Sequence, residues 1–326
     1  MMNIYIFNQF TLKDICVSYT SLKLTRYFRG IGSFELELNS LEEAKKFEIG
    51  NYITLNTDTY IVENIHKYKS ADKTVKVEIS GKHLNSILDR RVVRSYVIGT
   101  ETSYESASED LVDSNFINAT DTNRNISNMA VKVSEKATYP TTAISLEKLS
   151  VASMLNKSLS YQQLGYKLSL DTENKRYLFE VLQPSDKRDE VYFSELFGNI
   201  SECDYYRNVS DEKNVCYVFT ETETTEIGSA VGLERKEMFV ENQYNSELQS
   251  NTALESASVV LLQTDMYTYR KDYDVGTIVT FIDKELNIST SKQINSITEY
   301  YSNVDEIEIE IGDFIPTIFD KLKGVK

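Results

Sequence analysis

The chain has two histidines, His66 and His83, and either imidazole could serve as the general base of a nucleophilic triad. No Gly-x-Ser-x-Gly elbow accompanies them, so nothing presents a serine to such a base. His66 falls in a stretch with strand alternation and His83 opens a short helical pattern, so both read as structural histidines. Cys16, Cys203 and Cys216 are odd in number, widely spaced and without a Cys-x-x-Cys pair. That pattern fits reduced thiols and gives neither a disulfide framework nor a zinc site. Gly30-x-Gly32 leads into strand alternation and not into a helix, which removes the dinucleotide-loop reading. Neither a Gly-x-x-x-x-Gly-Lys-Ser/Thr loop nor a His-Glu-x-x-His helix occurs. Paired carboxylates for glycoside hydrolysis depend on a separation in space, and Glu195, Glu202 and Asp204 are the nearest candidates. Their other reading is a solvated acidic face. The motifs therefore assign no catalytic residue, no cofactor and no metal ligand.

The elements that would position any site follow a repeat. The first copy runs from Phe47 to Leu88: Phe47-Glu48-Ile49-Gly50, Ile53-Thr54, Tyr60 to Ile65, then Val75 to Gly81 followed by Leu84, Ile87 and Leu88. The second runs from Tyr273 to Phe319: Tyr273-Asp274-Val275-Gly276, Val279-Thr280, Gln293 to Ile297, then Ile307 to Gly312 followed by Phe314, Ile315, Ile318 and Phe319. Each copy predicts three strands and a closing helix, with Gly50 matched to Gly276 and Val77 near Ile309. Period-two alternation over Thr74–Ser80 and Glu306–Ile311 puts apolar side chains on one face of a strand and polar ones on the other. Glu306, Glu308 and Glu310 thus project together, and three neighbouring carboxylates are tolerable only on a wet face.

Composition fits such a sheet protein. With 326 residues, 41% of them hydrophobic, two or more cores are expected. Twenty-two Tyr and 14 Phe against three Pro and no Trp favour sheets over a helical bundle. The formal charge of −15 argues against specific nucleic-acid binding and against an anionic lipid surface. The N-terminus lacks a charged leader, and no segment approaches the roughly 18 apolar residues of a membrane span. The expectation is a chain made and kept in the cytoplasm, with no glycosylation meaning in its Asn-x-Ser/Thr triplets.

The expected fold class is α+β, mainly β: two related antiparallel β-barrels with an α+β domain between them. Residues 1–95 form the first barrel, with a hairpin turning at Arg29-Gly30-Ile31-Gly32 and a helix from the capping box Ser40-Leu41-Glu42-Glu43 to near Gly50. Residues 96–198 carry helices over 105–119 and 146–164 and a hairpin of Gly165–Leu170 with Tyr177–Val181. Residues 199–326 form the second barrel. It opens on a hairpin of Asp204–Arg207 with Val215–Phe219 and holds a helical insertion at about 241–265, its helix over 251–263.

Several motifs in a fixed order carry a family resemblance. They are Gly30-Ile31-Gly32-Ser33-Phe34-Glu35-Leu36, Ile79-Ser80-Gly81-Lys82-His83-Leu84 and Leu88-Asp89-Arg90-Arg91. Ser185-Asp186-Lys187-Arg188, Gly198-Asn199-Ile200 and Leu233-Glu234-Arg235-Lys236-Glu237 follow. Over nearly its whole length the chain resembles the baseplate-hub proteins of phage tails and phage-tail-like bacteriocins, departing at Thr220, where glycine is common. The resemblance implies a structural, non-enzymatic homotrimer of virion or tail-like particle, with two tube-type barrels per chain. Its partners would be the tail tube or distal tail protein above and a spike or tip protein below. Two similar barrels in a closed three-fold assembly present six quasi-equivalent surfaces to a six-fold tube. The sequence ends soon after its last strand, so any peptidoglycan hydrolase is expected on another polypeptide. The alternative is a glycan-binding or glycan-cleaving tail-tip domain. In a channel that passes DNA without holding it, Glu306, Glu308 and Glu310 are expected to face the lumen, the competing placement being the outer wall.

Overall fold

The computed structural model describes residues 2–69, 75–140, 143–210, 212–219, 224–241, 254–262, 264–302 and 304–313. The first part consists of β1 (Ile4–Asn8), β2 (Thr11–Cys16), β3 (Ser21–Tyr27), β4 (Ser33–Leu38), β5 (Tyr52–Leu55), β6 (Asp58–Lys69) and β7 (Val75–His83). Alternation does the work here: Leu22 and Leu24 of β3 and Phe34, Leu36 and Leu38 of β4 are buried between polar neighbours. β3 and β4 pair antiparallel across the expected glycine turn, where Gly30 has φ +135°. A Cβ at Gly32 would stand 2.1 Å from the Thr25 carbonyl oxygen, which is why the turn needs glycine there. Ser40 caps the helix Leu41–Ala44 by accepting from the Glu43 amide at 3.3 Å. The helix stops well short of Gly50. Lys46 and Phe47 amides reach back only three residues, to Glu43 and Ala44, a tightening that ends the helix and turns Phe47 into the core.

β6 is long, and its two ends have different neighbours. Its first residues pair with β5 while its length from Tyr60 to Lys69 pairs with β7. A bulge between Val62 and Asn64 bends it, so the sheet folds over a core of Ile4, Ile6, Leu22, Leu36, Tyr60 and Ile79.

The middle part holds β8 (Val92–Ile98) paired with β10 (Ile144–Ser150), and a sheet of β9 (Met129–Val131), β11 (Gly165–Asp171) and β12 (Arg176–Leu182). The helix Tyr104–Val112 continues as a π-turn over Asp113–Ile117, near the expected span. The second helix is shorter than expected, Val151–Ser160. Ser150 caps it through the Ser153 amide, leaving Leu146 and Leu149 to strand β10. No described helix is long and apolar enough to cross a membrane.

The last part contains β13 (Ser185–Asp186), β14 (Tyr192–Phe193), β15 (Ile200–Asn208), β16 (Val215–Phe219), β17 (Thr224–Ile227), β18 (Glu237–Glu241), β19 (Leu254–Leu261), β20 (Thr277–Asp283), β21 (Ile288–Tyr301) and β22 (Glu306–Gly312). Two expectations fail here. β15 does not pair with β16 but with β19, and β16 lies between β17 and β18 in a separate small sheet. The expected helix over 251–263 is overturned at Leu254–Leu261, which is a strand with Ala257, Val259 and Leu261 alternating into the core. Residues 242–253 of the expected insertion lie outside the described residues.

The two copies correspond closely. Gly50 and Gly276 have φ +86° and +87°, and their amides donate to Val62 and Ile294 at 2.8 Å each. A second bulge, between Ile294 and Ser296, matches the one between Val62 and Asn64. Matching the bulges pairs Ile79 with Ile309 and Val77 with Ile307, two residues from the expected placement. The first closing helix is a 3₁₀-helix over Leu84–Arg90, and the second falls outside the described residues. Because Leu36 faces Ile79 as Val259 faces Ile309, β4 corresponds to β19, and β3 to β15.

The architecture is α+β and mainly antiparallel β, but the described strands do not close into two separate barrels. β3 pairs antiparallel with β21, joining the halves into one sheet whose path runs β15-β19-β22-β21-β3-β4-β7-β6 and on through β5, β1 and β2. Each half keeps its own core, the second built on Phe193, Val259, Phe281, Ile294, Ile297 and Ile309.

Candidate functional site

The ribbon from β15 to β6 has an apolar face over the cores and a polar face opposite. Ile307, Ile309 and Ile311 are buried, so Glu306, Glu308 and Glu310 emerge together on the polar face as expected. Hydroxyls from both neighbouring strands hold two of them. Ser258 and Tyr300 donate to the Glu308 carboxylate at 2.7 and 3.2 Å, and Ser296 donates to Glu310 at 2.7 Å. The polar face runs on across the junction of the halves, where the Thr25 and Thr298 hydroxyls lie 3.3 Å apart and the Lys23 ammonium sits 5.5 Å above the Tyr300 ring. On β7, the counterpart of β22, the same face carries Lys76, Glu78 and Ser80, with Lys76 donating to Glu37 at 2.7 Å. The acidic row thus belongs to one half alone.

Behind this face, where the three parts of the chain meet, lies a buried ion cluster. Arg26 of β3 approaches Asp58 and Glu299 at 3.4 Å each and donates to Asp274 at 2.5 Å. Arg270 binds Asp58 at 2.8 Å and Glu299 at 2.9 Å, and Lys167 from the middle part reaches Asp58 at 3.0 Å. Tyr269 accepts from Arg26 and donates to Glu299. Three cations therefore face three carboxylates. Burial alone would raise the Asp58 carboxyl, but Arg26, Lys167, Arg270 and His83 outweigh it and hold it well below the usual carboxylate range. His83 is driven the other way: burial, with Lys167 and Arg26, pushes it down to about 4 against the pull of Asp58. Its neutral Nδ1 accepts from the Asn85 amide at 3.2 Å, opening the 3₁₀-helix.

The remaining sequence candidates are not brought together. Glu195 is exposed on the 3₁₀ turn Glu195–Phe197, and Glu202 and Asp204 are exposed on β15. His66 is exposed, with Nδ1 3.2 Å from Glu78 and its ring stacked 4.9 Å from that of Tyr68. Burial pushes the Cys16 thiol up to about 12 and the Cys203 thiol up to about 11, where Asp283 adds to the shift, so neither is an activated thiolate. Among the described residues, no group of three His, Cys, Asp or Glu side chains is arranged to hold a metal ion.

The ion cluster was not found from sequence, although a signal was present. Arg26 follows Leu22 and Leu24 on the core-facing register of β3, and Glu299 follows Ile297 on that of β21. A charge where period two demands an apolar residue marks a buried pair.

This ribbon with an intervening α+β part is the fold of phage and prophage tail proteins. The tail protein from Neisseria meningitidis MC58 superposes with a TM-score of 0.63 at 11% identity, over 96% of this chain and 97% of that one. Prophage tail protein gp18 from Listeria monocytogenes EGD-e does so with 0.59 at 13% identity, over 99% and 98%. A chain of the lidded Francisella PdpA–VgrG complex gives 0.53 at 10% identity, over 96% of this chain and 52% of that one. Within this class the chain belongs to the family of Siphovirus ReqiPepy6 Gp37-like proteins, whose family model matches residues 3–243. Residues 240–322 match a second family model, prophage endopeptidase tail, a domain name that carries no activity with it. No curated protein sequence matches the chain.

Proposed function

We propose that the chain is a structural hub subunit of a phage tail or tail-like particle, and that three copies close into a ring between tail tube and tip. One observation carries this reading: two copies of a four-stranded unit are already joined side by side, through β3 and β21, into an eight-stranded ribbon with one polar face. Each half acts as one tube-type barrel, opened along the line where it meets its neighbour. Repeating the ribbon in three copies gives twenty-four strands around a polar lumen and six similar units from three chains. Such a ring matches a six-fold tube on one side and a three-fold spike on the other. The likeness to a chain of a PdpA–VgrG complex supports a spike protein as the lower partner, and a tube or distal tail protein is the upper one.

The role is structural and non-enzymatic. Family membership and the tail-protein fold support it, and the carboxylates considered for glycan cleavage are exposed and scattered. Light scattering of the purified chain and electron microscopy of the assembled tail tip test the proposal. Three copies in a ring are expected, and a single copy or a six-copy ring overturns it. Peptidoglycan turnover lost on Glu195→Gln or Glu202→Gln, with folding intact, would favour the glycan-cleaving reading instead.

A further inference from the structure

The junction inside the chain has a definite register and is held by side chains. β3 lies on the outer edge of β21 in a fixed register, Ser296 facing Tyr27 through to Tyr301 facing Leu22, and the Phe28 amide donates to the Asn295 carbonyl at 2.9 Å. Two side chains lock this seam. The Phe28 ring is buried directly over Gly276, so close that a Cβ there would meet it at 2.3 Å, and Arg26 bonds Asp274 two residues earlier.

The matching edges of the other half have no partner strand among the described residues. β6 corresponds to β21, yet beyond Val62 its outer edge, Asn64–Lys69, pairs with no described strand, and β15 ends the sheet with no described strand on its own outer edge. The place above Gly50 is open, with nothing within 4 Å of a Cβ built there, and neighbouring Ile49 is 62% exposed. Val209, the counterpart of Phe28, is 42% exposed just past the end of β15. Arg207 and Glu48, the counterparts of Arg26 and Asp274, are both exposed, Glu48 being paired with Lys13 at 2.9 Å. A lock and its key are thus displayed on opposite ends of the same ribbon, where each would otherwise be a free edge that invites pairing.

We infer that β15 of one copy adds antiparallel to the outer edge of β6 in the next. The register places Asn64 opposite Asn208, Ile65 opposite Arg207, His66 opposite Tyr206, Lys67 opposite Tyr205, Tyr68 opposite Asp204 and Lys69 opposite Cys203. Val209 then covers Gly50 and Ile49, and Arg207 reaches Glu48. The match departs at two charged positions. Asp204 stands where β3 has Lys23, so the contact of Lys23 with the Tyr300 ring is not repeated. Lys67 stands where β21 has Glu299, so the buried Arg26–Glu299 pair is not repeated and the seam between copies is the weaker of the two. This seam rests on the ring proposed above, but its test separates the two ideas.

Cross-strand cysteines read the register, because directly opposed residues of an antiparallel pair have the Cα separation a disulfide needs. Oxidising the double variant His66→Cys/Tyr206→Cys across a concentration series is expected to give covalent multimers, ending in a cross-linked trimer. Asn64→Cys/Asp204→Cys, four residues out of register, is expected to stay at the wild-type background. Adding Val209→Asp to the first pair should raise the concentration for half cross-linking by roughly tenfold or more, about the loss of one buried apolar side chain. No cross-link at any concentration, or equal cross-linking of the mismatched pair, overturns the seam. Trimers by mass without the cross-link remove the seam and keep the ring, whereas cross-linked ladders that run past three keep the seam and remove the closed ring.

Discussion

Asp58 is the residue on which the buried ion cluster converges, since Arg26, Lys167 and Arg270 all reach it from different parts of the chain. Removing one partner of a buried ionic group leaves the others desolvated and unmatched, which costs roughly 3–5 kcal/mol. Asp58→Asn is therefore expected to lower the unfolding free energy by that amount, read as a fall in the urea midpoint at constant slope, while leaving secondary structure intact, and an unchanged midpoint would show that water reaches the cluster. The neighbouring His83 gives a separate pH signature. Its folded pKa, about 4, lies below its ordinary value of 6.5, so folding favours the neutral ring. That stabilisation is fully present above pH 6.5 and is lost as pH falls from 6.5 towards 4, a change of roughly 3 kcal/mol. Asp58, held low, loses its contribution only at still lower pH, below its ordinary value of 3.8. His83→Asn, which keeps a cap acceptor, should flatten the denaturation midpoint between pH 6.5 and 4. The same slope in both proteins would mean that His83 is not the titrating group. The single charges on core-facing positions were legible but the cluster was not, because Arg26, Asp58, Lys167, the stretch Tyr269 to Asp274 and Glu299 are five distant segments that only the fold collects.

At the scale of elements, the strands that obey one period were readable and those that obey two were not. β3, β4, β7 and β22 alternate cleanly, and the hairpin at Gly30 and the cap at Ser40 follow from local chemistry. β19 was misread because Leu254, Ala257 and Leu261 also fit helical spacing, while its strand register is Ala257, Val259 and Leu261. The partner of β15 was missed for a different reason: the small sheet β16–β18 is inserted where the first half has only a tight turn. The repeated glycines make the duplication quantitative. Gly50→Ala and Gly276→Ala both force alanine into φ near +86°, which costs about 1–2 kcal/mol. Only at Gly276 does the added methyl also collide with the Phe28 ring, which adds roughly 1–3 kcal/mol of overpacking. Chemical denaturation of the two variants in dilute solution should therefore rank Gly276→Ala as clearly the less stable. Equal losses would show that Phe28 yields and that the seam is softer than its packing implies.

At the scale of the whole molecule, the face that bears Glu306, Glu308 and Glu310 decides what the proposed ring does with its cargo. The apolar face of the ribbon is covered by the cores, by strands β1, β2, β5 and β20, and by the middle part, which packs there through Ile61, Leu84 and Leu88. The interior of a closed ring has the least room, so in the proposed ring this bulk would lie outside and the polar face inside. An acidic lumen repels phosphates, whereas a basic one would bind them with release of counter-ions. Lysine at all three positions should leave ring assembly intact. These side chains lie on the wet face, and only Glu308 and Glu310 give up hydroxyl partners, from Ser258, Tyr300 and Ser296. DNA delivery by particles carrying the triple variant should be slowed or blocked, and the isolated ring should retain DNA in a salt-dependent way that wild type does not. Wild-type delivery rates with the lysines in place would show that cargo never meets this row. Locating the three carboxylates on the outer wall of an assembled ring would end the lumen assignment whatever the phenotype, because there an acidic row serves solubility or docks a basic neighbour.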